Sequence, residues 1–241
     1  MKRIIFTFTM MMIAVAASSQ QIYNIKVSDK PDGNFEQYYG NIKVTGAILN
    51  GLKEGSWVEN HPNSDIPHFI IQYKEGKKDG LHLEFDKQGT IVKKNDYRND
   101  KIDGMSYVFA KGGLLSVKQA YKEGQLDGMS IIYTDKGFIQ EESMYKEGKR
   151  DGVTIWYSYA DKMQGVKYVM YTYKDGLFEG VQETYYEDGG LKTQKMFSNN
   201  VQNGPAIEYY EDGSIKSEAN YKNGEVSGKV KEYEKGNKFV K

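Results

Sequence analysis

The side chains with metal-binding chemistry cluster in one short stretch, His61-Pro62-Asn63-Ser64-Asp65-Ile66-Pro67-His68. Two imidazoles and a carboxylate are donors that zinc accepts, but their spacing fits no ligand pattern and the two prolines mark a loop. His82, the third histidine, falls on the polar side of a strand. Nucleophilic chemistry is equally thin. The chain has no cysteine, which excludes thiol catalysis, disulfides and a lipid-modified leader cysteine. No Gly-x-Ser-x-Gly elbow, His-Glu-x-x-His helix or phosphate-binding glycine loop occurs. Carboxylates recur at equivalent turn and strand positions, so none is singled out as an acid–base pair. This reads as a protein without catalytic, cofactor or metal residues, hence not an enzyme. A different chemistry stands out, that of a protein interface. Trp156 occupies a strand position held by Val108 and Ile132 in the two preceding units and by Thr184, Glu208 and Glu232 in later ones. The expected register places Tyr168 across from Trp156, and Met170 opposite Thr154 on the same side. Val108, Ile132, Trp156, Tyr168 and Met170 therefore form the candidate interaction patch, since large aromatic side chains anchor interfaces.

The elements that carry these residues follow from a repeat. Tyr73, Tyr97, Tyr121, Tyr145, Tyr173, Phe197 and Tyr221 lie 24, 24, 24, 28, 24 and 24 residues apart, each followed by glycines at near-fixed offsets. Tyr121 leads Gly124, Gly128 and Gly137; Tyr145 leads Gly148, Gly152 and Gly165. A fixed period of this length means tandem structural units. Frequent glycines among evenly spaced aromatics contradict a helix. Each unit reads as strand, turn, strand, turn, with both turns expected as three-residue loops closed by a left-handed glycine. The fold class is all-β: an elongated antiparallel β-meander of tandem hairpin repeats in a single sheet. Pairing Tyr133 with Ile139 and Ile131 with Glu141 puts Met129, Ile131, Tyr133, Ile139 and Tyr145 on one apolar face, leaving Glu, Lys, Gln and Ser on the other. Such an apolar face calls for a cover: sheet curvature, the N-terminal segment or a second copy.

In chain order, Lys2 and Arg3 precede an apolar run from Ile4 to Ala17 and the small residues Ser18 and Ser19. This is the pattern of a secretory signal peptide, residues 1–19, cut near Gln20, and the run is too short to span a bilayer. Loss of Lys2 and Arg3 takes the chain from balance, 33 basic against 33 acidic residues, to a net charge of −2. The charges are interspersed, which gives nucleic acid no basic track. Residues 20–47 break the period and are expected to form an irregular N-terminal cap. The repeat array fills 48–241: one degenerate unit, six full ones and a truncated last one. The fourth full unit carries a four-residue longer hairpin loop, from Ser158 to Gly165, and the chain ends in a basic tail with Lys235, Lys238 and Lys241.

The segments Tyr121-Lys122-Glu123-Gly124-Gln125-Leu126-Asp127-Gly128 and Tyr209-Tyr210-Glu211-Asp212-Gly213-Ser214-Ile215-Lys216-Ser217-Glu218 resemble the MORN repeat variant, in particular the bacterial YwqK-like putative antitoxins. The resemblance runs from about Gly51 to the C-terminus. It implies sheets of consecutive hairpins that serve as scaffolds for protein or lipid contact, and the antitoxin label implies a partner toxin. Fold alone does not fix function. The expectation is an exported protein–protein scaffold of the cell envelope, periplasmic or extracellular. The alternatives are an immunity protein paired with a toxin and a module binding glycan or cell-wall polymer on its aromatics. Self-association into a homo-oligomer is compatible with each.

Overall fold

The computed structural model describes residues 21–159 and 165–236. The expected leader, most of the lengthened loop after Ser158, and Lys238 and Lys241 of the tail lie outside the described residues. The order of elements is a single helical turn, α1 (Gln21–Asn24), then β1 (Gly33–Tyr39), β2 (Ile42–Leu49), β3 (Leu52–Asn60), β4 (Pro67–Lys74), β5 (Lys77–Phe85), β6 (Ile91–Arg98), β7 (Lys101–Phe109) and β8 (Leu115–Lys122). There follow β9 (Gln125–Tyr133), β10 (Ile139–Lys146), β11 (Lys149–Ser158), β12 (Val166–Lys174), β13 (Leu177–Tyr185), β14 (Leu191–Ser198), β15 (Val201–Tyr209), β16 (Ile215–Lys222) and two short strands, β17 (Glu225–Val226) and β18 (Lys231–Glu232). Each strand pairs antiparallel with the next as far as β16, and both short strands close on β16. No pairing joins β1 to the far end among the described residues, so the single sheet is open. The all-β meander matches the sequence expectation. It also extends through residues 33–49, where an irregular cap was expected: β1 and β2 are full strands in register with the array.

The two ends of the strands are built differently. One rim carries the expected loops: the Thr134 N–H donates to the Phe138 carbonyl at 2.7 Å and the Gly137 N–H to the Thr134 carbonyl at 2.9 Å. The other rim does not. Lys146 pairs directly with Lys149, leaving a two-residue turn in which Glu147 (φ 49°) and Gly148 (φ 80°) are both left-handed. Two left-handed residues give the turn whose twist matches that of paired strands. What holds a glutamate there is the neighbouring unit. The Glu147 N–H donates to the Asp127 carboxylate at 3.2 Å, and the Gly148 N–H to the Leu126 carbonyl at 2.8 Å. The same pair of bonds runs from Glu123 to Asp103 and from Gly124 to Ile102, and from Asp175 to Asp151 and from Gly176 to Arg150. An acidic residue before the interior glycine, from Glu54 to Glu179, therefore anchors the turn of the following unit.

Each full unit also contains two bulges, and these revise the expected faces. Gln140 is an extra residue between Ile139, which faces Tyr133, and Glu141, which faces Ile132. Ile131 consequently faces Glu142 rather than Glu141, and Tyr145 crosses to the opposite face, where it lies across from Gly128. A one-residue slip moves every subsequent side chain to the other side of the sheet. The second bulge lies at Asp151-Gly152, between the pairs Ser143–Thr154 and Tyr145–Arg150. Gly152 sits there at φ +112°, and a Cβ would stand 3.0 Å from the Cβ of Met144. The leading tyrosines thus share one face, each across from a glycine: Tyr73 with Gly55, Tyr97 with Gly80, Tyr121 with Gly104, Tyr173 with Gly152.

This tyrosine face holds the core. Ile22, Ile25 and Val27 pack with Phe35, Val44, Ile48, Trp57, Phe69, Ile71 and Tyr73. The N-terminal segment is clamped by its backbone: the Ile22 N–H donates to Glu59 Oε2 at 2.7 Å, and Lys53 Nζ donates to the Ile22 carbonyl. The Lys53 ammonium also lies 5.2 Å from the Trp57 ring and 5.1 Å from that of Tyr73. Burial, and then the nearby Lys78 charge, lower its pKa to about 8. The N-terminal segment is therefore a cover, as expected, but for the face opposite to the one that carries Ile131 and Tyr133.

Candidate interaction face around Trp156

Beyond the capped end, the tyrosine face continues with a different filling. Its middle row consists of small polar side chains that are nonetheless buried: Asn95, Ser106, Ser130, Ser143 and Thr154. They are short enough to lie beneath the larger residues of the rows on either side, and several are hydrogen-bonded to their neighbours. The Ser106 hydroxyl donates to Asn95 Oδ1 at 2.7 Å, and Gln119 Nε2 donates to Ser130 Oγ at 3.1 Å. The row towards the loop rim reads Val108, Val117, Ile132, Glu141, Trp156, Val169 through direct cross-strand pairs.

Three of the five residues expected in the patch, Val108, Ile132 and Trp156, therefore stand on one row of one face. The other two do not join them. A bulge between Trp156 and Tyr157 shifts β12 by one residue, so Trp156 faces Val169 and Thr154 faces Tyr171. Met170 faces Ile155 on the opposite side of the sheet, and Tyr168 falls in the bulge with no strand partner and 59% exposure.

What surrounds Trp156 is a polar network absent from the sequence expectation. Glu141, buried, accepts from Trp156 Nε1 at 2.8 Å, from Arg150 Nη2 and from the Ser143 hydroxyl. The Arg150 guanidinium lies 5.3 Å from the Trp156 ring, 5.6 Å from Tyr173 and 5.9 Å from Tyr145. Burial by itself would lower the arginine pKa, but the Glu141 carboxylate, with Tyr145 and Tyr173, outweighs it and raises it. Tyr171 stands edge-on to Trp156 at 5.7 Å and packs on Phe178 at 4.6 Å. The result is a half-exposed aromatic cluster fixed from below by charge-assisted bonds, which hold its apolar surface in one orientation. The sequence did hold one signal. Arg150 occupies a column otherwise filled by Lys53, Lys78, Ile102, Leu126, Phe178 and Gln202, and Glu141 is the lone acid in a column of Phe69, Lys93, Val117, Val169, Thr193 and Ser217.

The loop histidines are packed side chains. His61 Nε2 bonds the Phe85 carbonyl at 3.0 Å and stacks on His68 at 4.4 Å, while His68 Nδ1 lies 3.6 Å from Glu59. Among the described residues no group of three His, Asp or Glu side chains is placed to hold a metal ion. A cleft of about 600 Å³ opens at the loop rim, lined by Lys167, Tyr168, Tyr185, Tyr186, Asp188 and Lys192. Lys192 lies 5.4 Å from the Tyr186 ring, whose hydroxyl donates to the Tyr209 carbonyl at 2.6 Å. No protein-family model matches the chain, and no curated protein matches it.

Proposed function

We propose that the protein is an exported, non-enzymatic scaffold that binds a protein partner on the face carrying Trp156. The observation behind this reading is the cluster itself: Trp156 and Tyr171 are half-exposed, yet their orientation is fixed by Glu141, Arg150 and Phe178. A rigid aromatic loses little conformational freedom on binding, which is why such residues dominate interfaces. The resemblance of its repeats to the MORN repeat variant, whose members act mainly as scaffolds, supports the same reading. The signal-peptide pattern at residues 1–19 supports a partner in the envelope or outside the cell.

The test compares the wild-type chain with Trp156→Ala, each shown by melting to be folded. A partner captured from envelope extract is then purified and titrated against both. The variant is expected to bind about 30-fold more weakly, corresponding to about 2 kcal/mol for a lost anchor. Equal affinity for a folded variant would overturn the reading. A second function, saccharide binding, is favoured by the cleft with Tyr168, Tyr185 and Tyr186, where aromatic faces lie beside charged hydrogen-bonding groups. Titration with soluble cell-wall polysaccharide fragments, which Tyr168→Ala would weaken, tests it separately.

A further inference from the structure

The face opposite Trp156 carries an apolar band that no element of the described chain covers. On β9, β10 and β11, Met129 (49% exposed), Met144 (37%) and Val153 (39%) lie near one another, with Met129 directly across from Met144. Met105 and Ala120, paired on β7 and β8, continue the band. A sheet face with contiguous large apolar groups in water is unusual for a monomer and marks a contact surface. The N-terminal segment is not available to cover it, because it is clamped on the other face by Lys53 and Glu59.

The neighbouring row indicates what does. From β7 to β11 it reads Tyr107, Lys118, Ile131, Glu142, Ile155, each directly paired with the next across the strands. The pattern is antisymmetric in charge about β9. One strand out stands a lysine on one side and a glutamate on the other; two strands out both positions are apolar. Further out the segregation of sign continues, offset by one strand: Lys94 stands three strands from β9 on β6, and Glu183 four strands away on β13. A two-fold interface brings each residue opposite its mirror position in the other copy, so only a surface antisymmetric in charge can meet itself without like-charge contact.

We propose that the protein forms a homodimer through this face, two sheets stacked about a two-fold axis passing at β9, with Lys118 of each copy against Glu142 of the other. Met129 of each copy then meets its counterpart, while Met144 and Val153 of one copy pack on Ala120 and Met105 of the other. Strands about 4.8 Å apart and residues rising about 3.3 Å make nine strands, β5 to β13, a surface of roughly 40 by 20 Å, which matches the ~800 Å² per partner of a standard interface. This leaves Trp156 facing outward on both copies, so the dimer does not compete with the proposed partner site.

The experiment is sedimentation equilibrium of the mature chain, with charge reversal at the axis. The wild type is expected to sediment at twice the monomer mass. Lys118→Glu and Glu142→Lys each place like charges opposite one another twice per dimer, and each is expected to raise the dissociation constant at least about tenfold. The double reversal, Lys118→Glu with Glu142→Lys, restores opposite charges and is expected to restore the dimer. Circular dichroism verifies that each variant is folded, and Met129→Glu serves as a second disrupting substitution should either reversal fail to fold. A wild type that stays monomeric overturns the proposal, as does a dimer indifferent to the single reversals, or one that the double reversal does not restore.

Discussion

Glu141 and Arg150 show how one pair of charges can organise a surface. The carboxylate is buried and serves three donors at once, so removing it takes an acceptor from the Trp156 indole N–H and the opposite charge from the partly buried Arg150 guanidinium. Breaking such a pair from one side costs more than replacing it whole, because the surviving charge remains unsolvated. Glu141→Leu is therefore expected to destabilise the fold by about 3 kcal/mol and Arg150→Met by about 2 kcal/mol, with part of the charge cost relieved by solvent at the half-exposed arginine. The double substitution should cost at least about 1 kcal/mol less than the sum. Urea denaturation of the four proteins measures the coupling, and additivity within about 0.5 kcal/mol would mean that the pair does not act as a unit.

At the scale of the hairpin, the bulge glycines fix where each strand changes face. Gly152, at φ +112° with Met144 Cβ in the way of any Cβ, is expected to tolerate alanine poorly, at a cost of about 2–3 kcal/mol, the range for backbone held in a sparsely populated region plus local overpacking. Gly213, a loop glycine at φ +81° whose Cβ would meet nothing within 4 Å, should lose only about 1 kcal/mol on the same change. Thermal melts of Gly152→Ala and Gly213→Ala, compared side by side, check that ordering. The same bulges mark where the sequence could be read and where it could not. Strand count, antiparallel order and the Thr134–Phe138 loop follow from the tyrosine–glycine cadence, because turn residues and period-two alternation are local signals. The extra residues at Gln140, at Asp151-Gly152 and in β12 carry no local signal, since a bulge is stabilised by its partner strand. That is why Tyr145 changed faces, and why Met170 and Tyr168 separated from Trp156 while Val108 and Ile132 stayed with it. Glu141 and Arg150 were visible only as departures from their own columns.

Across the whole molecule, the apolar core is concentrated at one end. Ile22, Val44, Trp57, Phe69 and Ile71 are fully or almost fully buried, whereas among the described residues beyond β12 no large apolar side chain is buried to that degree. In a chain whose units touch only their sequence neighbours, stability is a sum of local terms, so the ends need not open together. Hydrogen exchange followed by mass spectrometry is expected to show protection falling from β3 and β4 towards β15 and β16, with the last unit exchanging first. Uniform protection along the array would mean that the sheet opens as one body.

The ladder of bonds from each interior acid to the next turn has one more consequence, for how such a chain can change length. Every strand junction on the turn rim is two residues long, including Asn99-Asp100, Glu123-Gly124, Glu147-Gly148 and Asp175-Gly176, because a third residue would pull the turn away from the Asp79, Asp103, Asp127 or Asp151 carboxylate of the unit before it. The junctions that exceed the five-residue pattern, His61 to Ile66 and the one between Ser158 and Val166, both lie on the opposite rim. Innovation by insertion is thus confined to one border of the molecule. A foreign epitope grafted between Ser158 and Val166 should be carried without disturbing the lattice of turns, whereas the same graft at Glu147-Gly148 would unfasten two units at once.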